Sequence, residues 1–442
     1  MKKYILMPIV ALFTLANVAA QDFDTAPTIQ IGSKDDKAQF TIGARMMADV
    51  AYYHSDFTPL KSGAALTDAR IRTSMKFNDW YFYADFDFSK GKFKQKDIYL
   101  QYSWGESQSI KAGYFCDPSN MAGNTSIGSY HFISRSAATR ALAAGRQLGI
   151  AYKYAGEKFF ANQGIFAENL YNDQLAGFQG VTLGGRWLYR PINSENKAFH
   201  VGINARYAKI TSGEDYQGVV KTNVTLSTPF ETYVDTNSDF MNAQVPWASG
   251  VLNLGVEAMY VSPKFFARGE YIYKSISKER DDETLFKNQL GTEWSWGSLA
   301  SWQGGNPLKT SNFHGGYVEA GFMIFGEPYR YDSKNGIVGG MRGKTLEIVA
   351  RYSYTGLNDI EKGAYYFLPK DQYIDEGMLL DYPASSKSIG GGKLHAVTLG
   401  VNYSFNKYVH MLVDYTYNCF ERDKYPYDKN FHALQGRLVF SF

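Results

Sequence analysis

The sequence predicts an all-β protein: a transmembrane antiparallel β-barrel of about 16 strands, with short periplasmic turns and long outer loops. Three observations carry this expectation. Sixteen segments alternate apolar and polar residues with a period of two. The connections between them alternate between short and long. The chain opens on a secretion leader, and no later stretch is an apolar run long enough for a membrane helix.

The leader comes first. "MKKYILMPIVALFTLANVAAQDF" has Lys2 and Lys3 at its start, a short apolar run over 4–16, and small residues at Val18-Ala19-Ala20. These are the three parts of a signal peptide, so residues 1–20 are expected to be removed and the mature chain to begin at Gln21. Residues 21–37 then form a short periplasmic N-terminal segment, and 38–442 the barrel. Composition agrees. Aromatic residues are 16% of the chain, with 34 Tyr and 30 Phe against 13 Pro, which suits strands whose two faces meet different media. The formal charge is +3, and about +1 without Lys2 and Lys3, so bulk charge names no partner. Cys116 and Cys419 are the two cysteines. They are no disulfide framework; one bridge and two separate thiols both stay open.

The strands follow in order: 38–50, 67–78, 80–89, 96–104, 108–115, 147–155, 158–168, 178–190, 199–209, 251–262, 264–274, 315–326, 344–354, 393–405, 407–418 and 430–442. In "QFTIGARMMADV" (39–50), Phe40, Ile42, Ala44, Met46 and Val50 share one parity, and Gln39, Thr41, Arg45 and Asp49 the other. In "WYFYADFDF" (80–88), Trp80, Phe82, Ala84, Phe86 and Phe88 oppose Asp85 and Asp87. Period two places each set on one face. Short connections at 77–79, 105–107, 156–157, 262–263 and near Asn406 alternate with long ones at 51–66, 116–146, 210–250, 275–314, 355–392 and 419–429. Residues 327–343 are long where a short turn is due, and are expected at the periplasmic mouth or folded into it. "GGG" at 390–392 reads as flexible outer loop, and "KERDDET" (278–284) as a solvated charge run. The final "LQGRLVFSF" resembles the assembly signal of outer-membrane barrels. Trp80, Trp104, Trp187, Tyr189 and Tyr260 fit aromatic girdles at the membrane interfaces.

A strand in lipid cannot leave its backbone unpaired, so such a sheet closes on itself. A lumen that wide holds water or a plug. No plug domain precedes the first strand, which leaves a water-filled pore narrowed by inward-folded loops. Parity turns Arg45, Arg70, Arg72, Lys76, Lys111, Lys153, Arg186, Arg206, Arg268, Arg351 and Arg437 toward that water. It does the same for Asp49, Asp68, Asp85, Asp87, Asp97, Glu257, Glu270, Glu319, Glu347 and Asp414. Rings of Arg or Lys favour anions, and Arg binds phosphate oxygens in pairs. The competing role for each wall arginine is a cross-strand ion pair.

Three blocks carry a family likeness: "FMIFGEPYRYDSKNGIVGGMRGKTLEIVARYSYTGLND" (322–359), "ARIRTSMKFNDWYFYADFDF" (69–88) and "IKAGYFCDPSN" (110–120). In this order they resemble the phosphate-selective porin O and P family. The resemblance implies a trimeric, 16-stranded, anion-leaning channel whose third outer loop folds inward. Cys116 stands near an expected Lys, and "ISRSAAT" replaces a usual Glu-Arg pair.

That loop, 116–146, ends in "ISRSAATRALAAGRQ" (133–147), with Arg135, Arg140 and Arg146 and no acid. The expected constriction is Arg135, Arg140 and Arg146 with wall residues Arg45, Arg70, Arg72, Lys111 and Arg437, faced by pore-lining acids Asp85, Asp87 and Asp97. If the loop is partly helical, Arg135 and Arg146 share a face, with one set of arginines anchored on Asp85 and Asp87. The expected partners are inorganic phosphate or other small anions, outer-membrane lipid and lipopolysaccharide, and two further copies in a homotrimer. Nucleic acid, cofactor, metal and catalytic site are not expected: no nucleophile motif, HExxH, CxxC or Walker loop occurs. The alternatives are a general or organic-anion diffusion pore, and a non-conducting adhesin or structural barrel.

Overall fold

A computed structural model describes residues 29–32, 38–55, 60–91, 93–168, 180–210, 223–238, 240–279, 281, 283, 285–286, 298–305, 309–359, 389–421 and 430–442. The expected signal peptide, most of the 21–37 segment and much of the 278–284 charge run lie outside the described residues.

The strands in chain order are β1 (Ile29–Gly32), β2 (Ala38–His54), β3 (Gly63–Phe77), β4 (Trp80–Asp87), β5 (Lys94–Trp104), β6 (Gln108–Cys116), β7 (Arg146–Ala155), β8 (Phe159–Ala167), β9 (Val181–Ser194), β10 (Lys197–Lys209), β11 (Val224–Ser227), β12 (Asn242–Val245), β13 (Ala248–Val261), β14 (Phe265–Lys278), β15 (Ser311–Phe325), β16 (Tyr331–Asp332), β17 (Ile337–Val338), β18 (Thr345–Asp359), β19 (Ile389–Ser404), β20 (Val409–Glu421) and β21 (Asn430–Ser441). Sixteen of them, β2–β10, β13–β15 and β18–β21, pair antiparallel with their chain neighbours. The ring closes where β2 meets β21, with Arg45 opposite Ser441 and Asp49 opposite Arg437. Each expected segment lies on one of these strands. Among the described residues, the sixteen-strand ring has no free edge to present to lipid, as membrane crossing requires. β1 is an addition: it pairs with residues 39–42 of β2, below the end of β21.

The two faces follow parity. On β2, Val50 is 56% exposed while Asp49 beside it is 1% exposed. Apolar side chains out and charges in is the inverse of a soluble fold, and it marks a sheet bathed in lipid. Near the short turns, Trp80 stacks by Tyr102 at 4.9 Å and Trp104 by Tyr152 at 6.0 Å, a girdle at that rim. The tight turn before Trp80 is made by Asn78, whose φ of 51° asparagine tolerates better than most residues.

The lumen is half filled. The 116–146 connection folds inward and carries two short helices, α1 (Met121–Asn124) and α2 (Ala137–Leu142). Two further segments join it. β11 and β12 form a hairpin inside the outer mouth, and β16 and β17 form another at the opposite mouth. Leu142, Phe230, Met241, Phe313, Leu394, Phe420 and Phe431 make one buried apolar cluster there. Met121, Phe132, Phe266, Tyr329, Tyr331 and Val338 make another. The core of this barrel is therefore inside it, against the wall from β13 round to β21.

Two expectations are corrected, and one open alternative is resolved. Gly390–Gly392 are not loop: they belong to β19, where Gly391 packs on Ala243 of the infolded hairpin and Leu357 of β18. The 210–250 connection is not simply an outer loop, since β11 and β12 carry it inward. Among the described residues, Cys116 and Cys419 are separate thiols on different strands.

Candidate pore and constriction

The open half of the lumen is a cavity of about 510 Å³ bounded by the walls of β2–β9 and the free side of the infolded loop. Nine cationic side chains line it: Arg45, Arg70, Arg72, Lys96, Lys111, Arg135, Arg146, Lys153 and Arg186. Five acids do: Asp68, Asp85, Asp87, Asp97 and Asp332. Strand parity sets this lining, and the pleat aims alternate residues of adjacent strands at the same water.

Much of that charge is paired. Arg45 forks onto Asp68 at 3.0 and 3.1 Å. Arg70 bridges Asp68 and Asp85, each at 2.7 Å. Lys96 lies 3.2 Å from Asp87. These contacts form a cross-strand ladder over β2–β5 in which each acid serves one or two cations. Arg45 also donates to Ser126 Oγ of the loop at 3.2 Å. The loop comes close there because Gly128 has no side chain; a Cβ would collide with the Arg45 guanidinium.

The three loop arginines separate. Arg135 sits just before the Ser136 N-cap of α2 and lines the cavity. It donates to the carbonyls of Gly123 and Thr125 at 3.3 and 2.7 Å, and its Nε meets no hydrogen-bond partner among the described residues. Arg140 does not line that cavity. It donates to the Thr232 carbonyl at 2.7 Å and lies 4.6 Å over the ring of Tyr233. Burial lowers its proton affinity against the pull of Tyr233 and Glu231. Arg146 is the first residue of β7 and forks onto Asp97 at 2.9 and 3.3 Å.

The expected helical face shared by Arg135 and Arg146 is therefore absent: Ser136 starts the helix after the first, and the chain is extended from Ala143 before the second. The expected anchoring on Asp85 and Asp87 is absent too, since those acids hold Arg70 and Lys96. Arg437 also leaves the expected constriction. It forks onto Asp49 at 2.7 and 2.6 Å at the closure seam, away from the large cavity.

The acids of the far wall do what sequence missed. Glu257, Glu270, Glu319, Glu347 and Asp414 point inward as parity requires, but they meet protein rather than water. Glu270 accepts from the backbone N–H groups of Met121 and Ala122 at 2.6 and 2.9 Å. Glu319 accepts from Tyr130 at 2.6 Å, Glu347 pairs with His131 at 2.8 Å, and Asp414 accepts from the N–H of Ile133 at 2.8 Å. Glu257 forks with Arg186, which donates onward to the carbonyls of Asn335 and Gly336 in the lower hairpin. Glu231, beside the β11–β12 hairpin, accepts from Arg351, Ser353 and the N–H of Ala137. A loop rich in donors and an acid-bearing wall were both visible in sequence; their pairing was not.

A closed barrel with an apolar outer belt, a charged lumen and an infolded loop defines an outer-membrane porin. The chain belongs to the phosphate-selective porin O and P family, whose model matches residues 40–442. Its site is the bacterial outer membrane. In fold it is similar to an anion-selective porin from Comamonas acidovorans: TM-score 0.53 at 11% identity over 92% of this chain and 100% of that one. It is also similar to OmpT, an outer membrane protein of Vibrio cholerae, with TM-score 0.53 at 10% identity over 92% and 99%. The outer membrane channel DcaP of Acinetobacter baumannii aligns with TM-score 0.50 at 13% identity over 93% and 99%. No curated protein matches the chain in sequence.

Proposed function

We propose that the channel leans toward anions and passes inorganic phosphate or other small anions. One observation carries this: nine cations against five acids around a single cavity. The paired groups cancel locally, and a net positive wall remains. In a narrow aqueous passage its field acts at reduced effective dielectric, so it reaches a passing ion. Arg135 is the loop residue best placed to meet that ion, with Arg72, Lys111 and Lys153 from the wall. Arg140 and Arg437 hold the loop and the seam. The chain takes the homotrimeric form that its family resemblance implies; an OmpT structure of Vibrio cholerae is itself described as a trimer form. Residues 1–20 direct export, and the outer rim meets lipid and lipopolysaccharide.

Planar-bilayer recording in a potassium chloride gradient tests the charge preference. The reversal potential is expected on the chloride side, and millimolar phosphate is expected to reduce the chloride current. A reversal potential on the potassium side overturns the proposal.

A further inference from the structure

The cavity wall carries a second feature that charge alone does not explain. Tyr81, Tyr83 and Tyr99, on the lumen faces of β4 and β5, line the same water as the cations. Their rings form one platform. Tyr83 and Tyr99 stack at 5.4 Å, Tyr81 and Tyr83 at 6.3 Å, and Tyr81 and Tyr99 approach to 6.3 Å. All three are half-buried, so part of each ring faces the cavity. Gly113 opposite Tyr99 makes the room: at φ 140° a Cβ there would collide with the Ile98 carbonyl oxygen.

Aromatic rings in a polar lumen leave apolar area in water, which favours a solute that covers it. The platform is ringed by both signs of charge. Lys111 Nζ lies 4.6 Å from the Tyr99 centroid. Arg72 lies across from Asp85, two residues along the strand from Tyr83. Asp85 Oδ1 is buried without a hydrogen-bond partner among the described residues. An apolar ring face beside cations and an orphaned acceptor matches a solute with C–H faces, hydroxyl donors and an anionic group. Inorganic phosphate has no face to stack, and an unsubstituted aromatic carboxylate such as benzoate has no hydroxyl for Asp85.

Resting on the anion-leaning reading above, we infer that the Tyr81–Tyr83–Tyr99 platform is a subsite for phosphorylated monosaccharides. The sugar ring lies on the tyrosines, a hydroxyl donates to Asp85, and the phosphate meets Arg72 and Lys111.

The test is block of chloride current through the full-length channel in planar bilayers by three probes: inorganic phosphate, glucose and glucose 6-phosphate. Glucose 6-phosphate is expected to block at about tenfold lower concentration than either other probe, the effect of one or two ring contacts. Tyr83→Ala and, independently, Tyr81→Ala are expected to remove that advantage without changing block by inorganic phosphate. Tyr83→Phe keeps the ring and is expected to keep the advantage. The chloride current of each variant shows in the same recording that its barrel has formed. Equal block by glucose 6-phosphate and phosphate in an anion-preferring channel overturns this inference alone, as does an advantage that survives both alanine variants. A cation-preferring wild-type channel overturns the underlying reading and the inference with it.

Discussion

Glu231 fastens the infolded loop from the side, and replacing it with glutamine asks whether that loop sets the channel. Its carboxylate accepts from Arg351 Nη2 at 2.5 Å, Ser353 Oγ at 2.5 Å and the N–H of Ala137 at 3.0 Å. Glutamine keeps the shape and one acceptor but not the charge. Breaking a buried ion pair outright costs about 3–5 kcal/mol. Here Arg351 retains Glu319 at 3.4 Å, so the guanidinium is not stranded. The loss then falls to about 2–3 kcal/mol, the upper part of the range of about 1.5–3 kcal/mol for a hydrogen bond to a charged group. At about 1.4 kcal/mol per decade, the population with α2 undocked rises roughly 30- to 150-fold. The strand ladders are untouched, so resistance of the barrel to unfolding in detergent at moderate temperature stays as in wild type. Single-channel recording of Glu231→Gln should show frequent excursions to higher conductance, with weaker anion preference during them. A Glu231→Gln channel with wild-type conductance, current noise and selectivity refutes the anchoring argument.

Three further outcomes are expected. Arg135→Ala should lower the anion-to-cation permeability ratio in the docked state itself, because Arg135 lines the large cavity and Arg140 does not, whereas Arg140→Ala should raise current noise and lower the ratio only during the noisy excursions; a lowered ratio in the quiet state of both variants would contradict the separation. Arg437→Ala strands Asp49 at the closure seam and should destabilise the barrel by about 3–5 kcal/mol, read as a lower temperature for the shift between folded and unfolded bands on a gel. Tyr233, in the loop between β11 and β12, is partly buried, and desolvation raises its proton affinity, but Arg140, Arg135 and Arg437 outweigh that and lower it below the ordinary value of 10.0; its depressed folded-state value means that stability should rise with pH from that value up to 10.0, and a tyrosine ionising below 10.0 by ultraviolet titration should be missing in Tyr233→Phe.

The barrel was legible because lipid imposes its rule residue by residue. Every outward position of β2, from Phe40 to Tyr52, must be apolar or aromatic, and period two exposes that to simple counting. The closure of β2 on β21 followed from the need to leave no edge. The site was legible only as a set of inward-facing charges. Parity gives the face of Glu319 and of Arg70 with equal certainty, yet says nothing about what stands in front of each. That depends on where the infolded segments lie, and their contacts span large separations: Glu231 to Arg351, Asp414 to Ile133. Neither helix has a periodic pattern long enough to announce itself, and Arg146 looked like loop because its small-residue neighbours hide the start of β7.

The same charge sorting explains the fold of the lumen and underlies the anion preference proposed for it. A loop folded into a barrel brings buried backbone N–H groups and cations that need acceptors. The wall from β13 to β21 supplies them as Glu270, Glu319, Glu347 and Asp414, while Glu257 holds Arg186 and His200 of the wall, so these acids meet protein and are covered by it. Covered and neutralised, they exert little field on the remaining water. The wall from β2 to β9 meets the infolded segments only at points such as Arg45–Ser126 and Arg186–Gly336, and its cations outnumber its acids around the cavity. Anchoring the constriction therefore removes negative charge from the channel, so docking of the loop and anion preference rise or fall together. An undocked loop would expose the far acids to the lumen and shift selectivity toward cations, which is why the conductance excursions expected of Glu231→Gln should carry a different ion preference from the docked state.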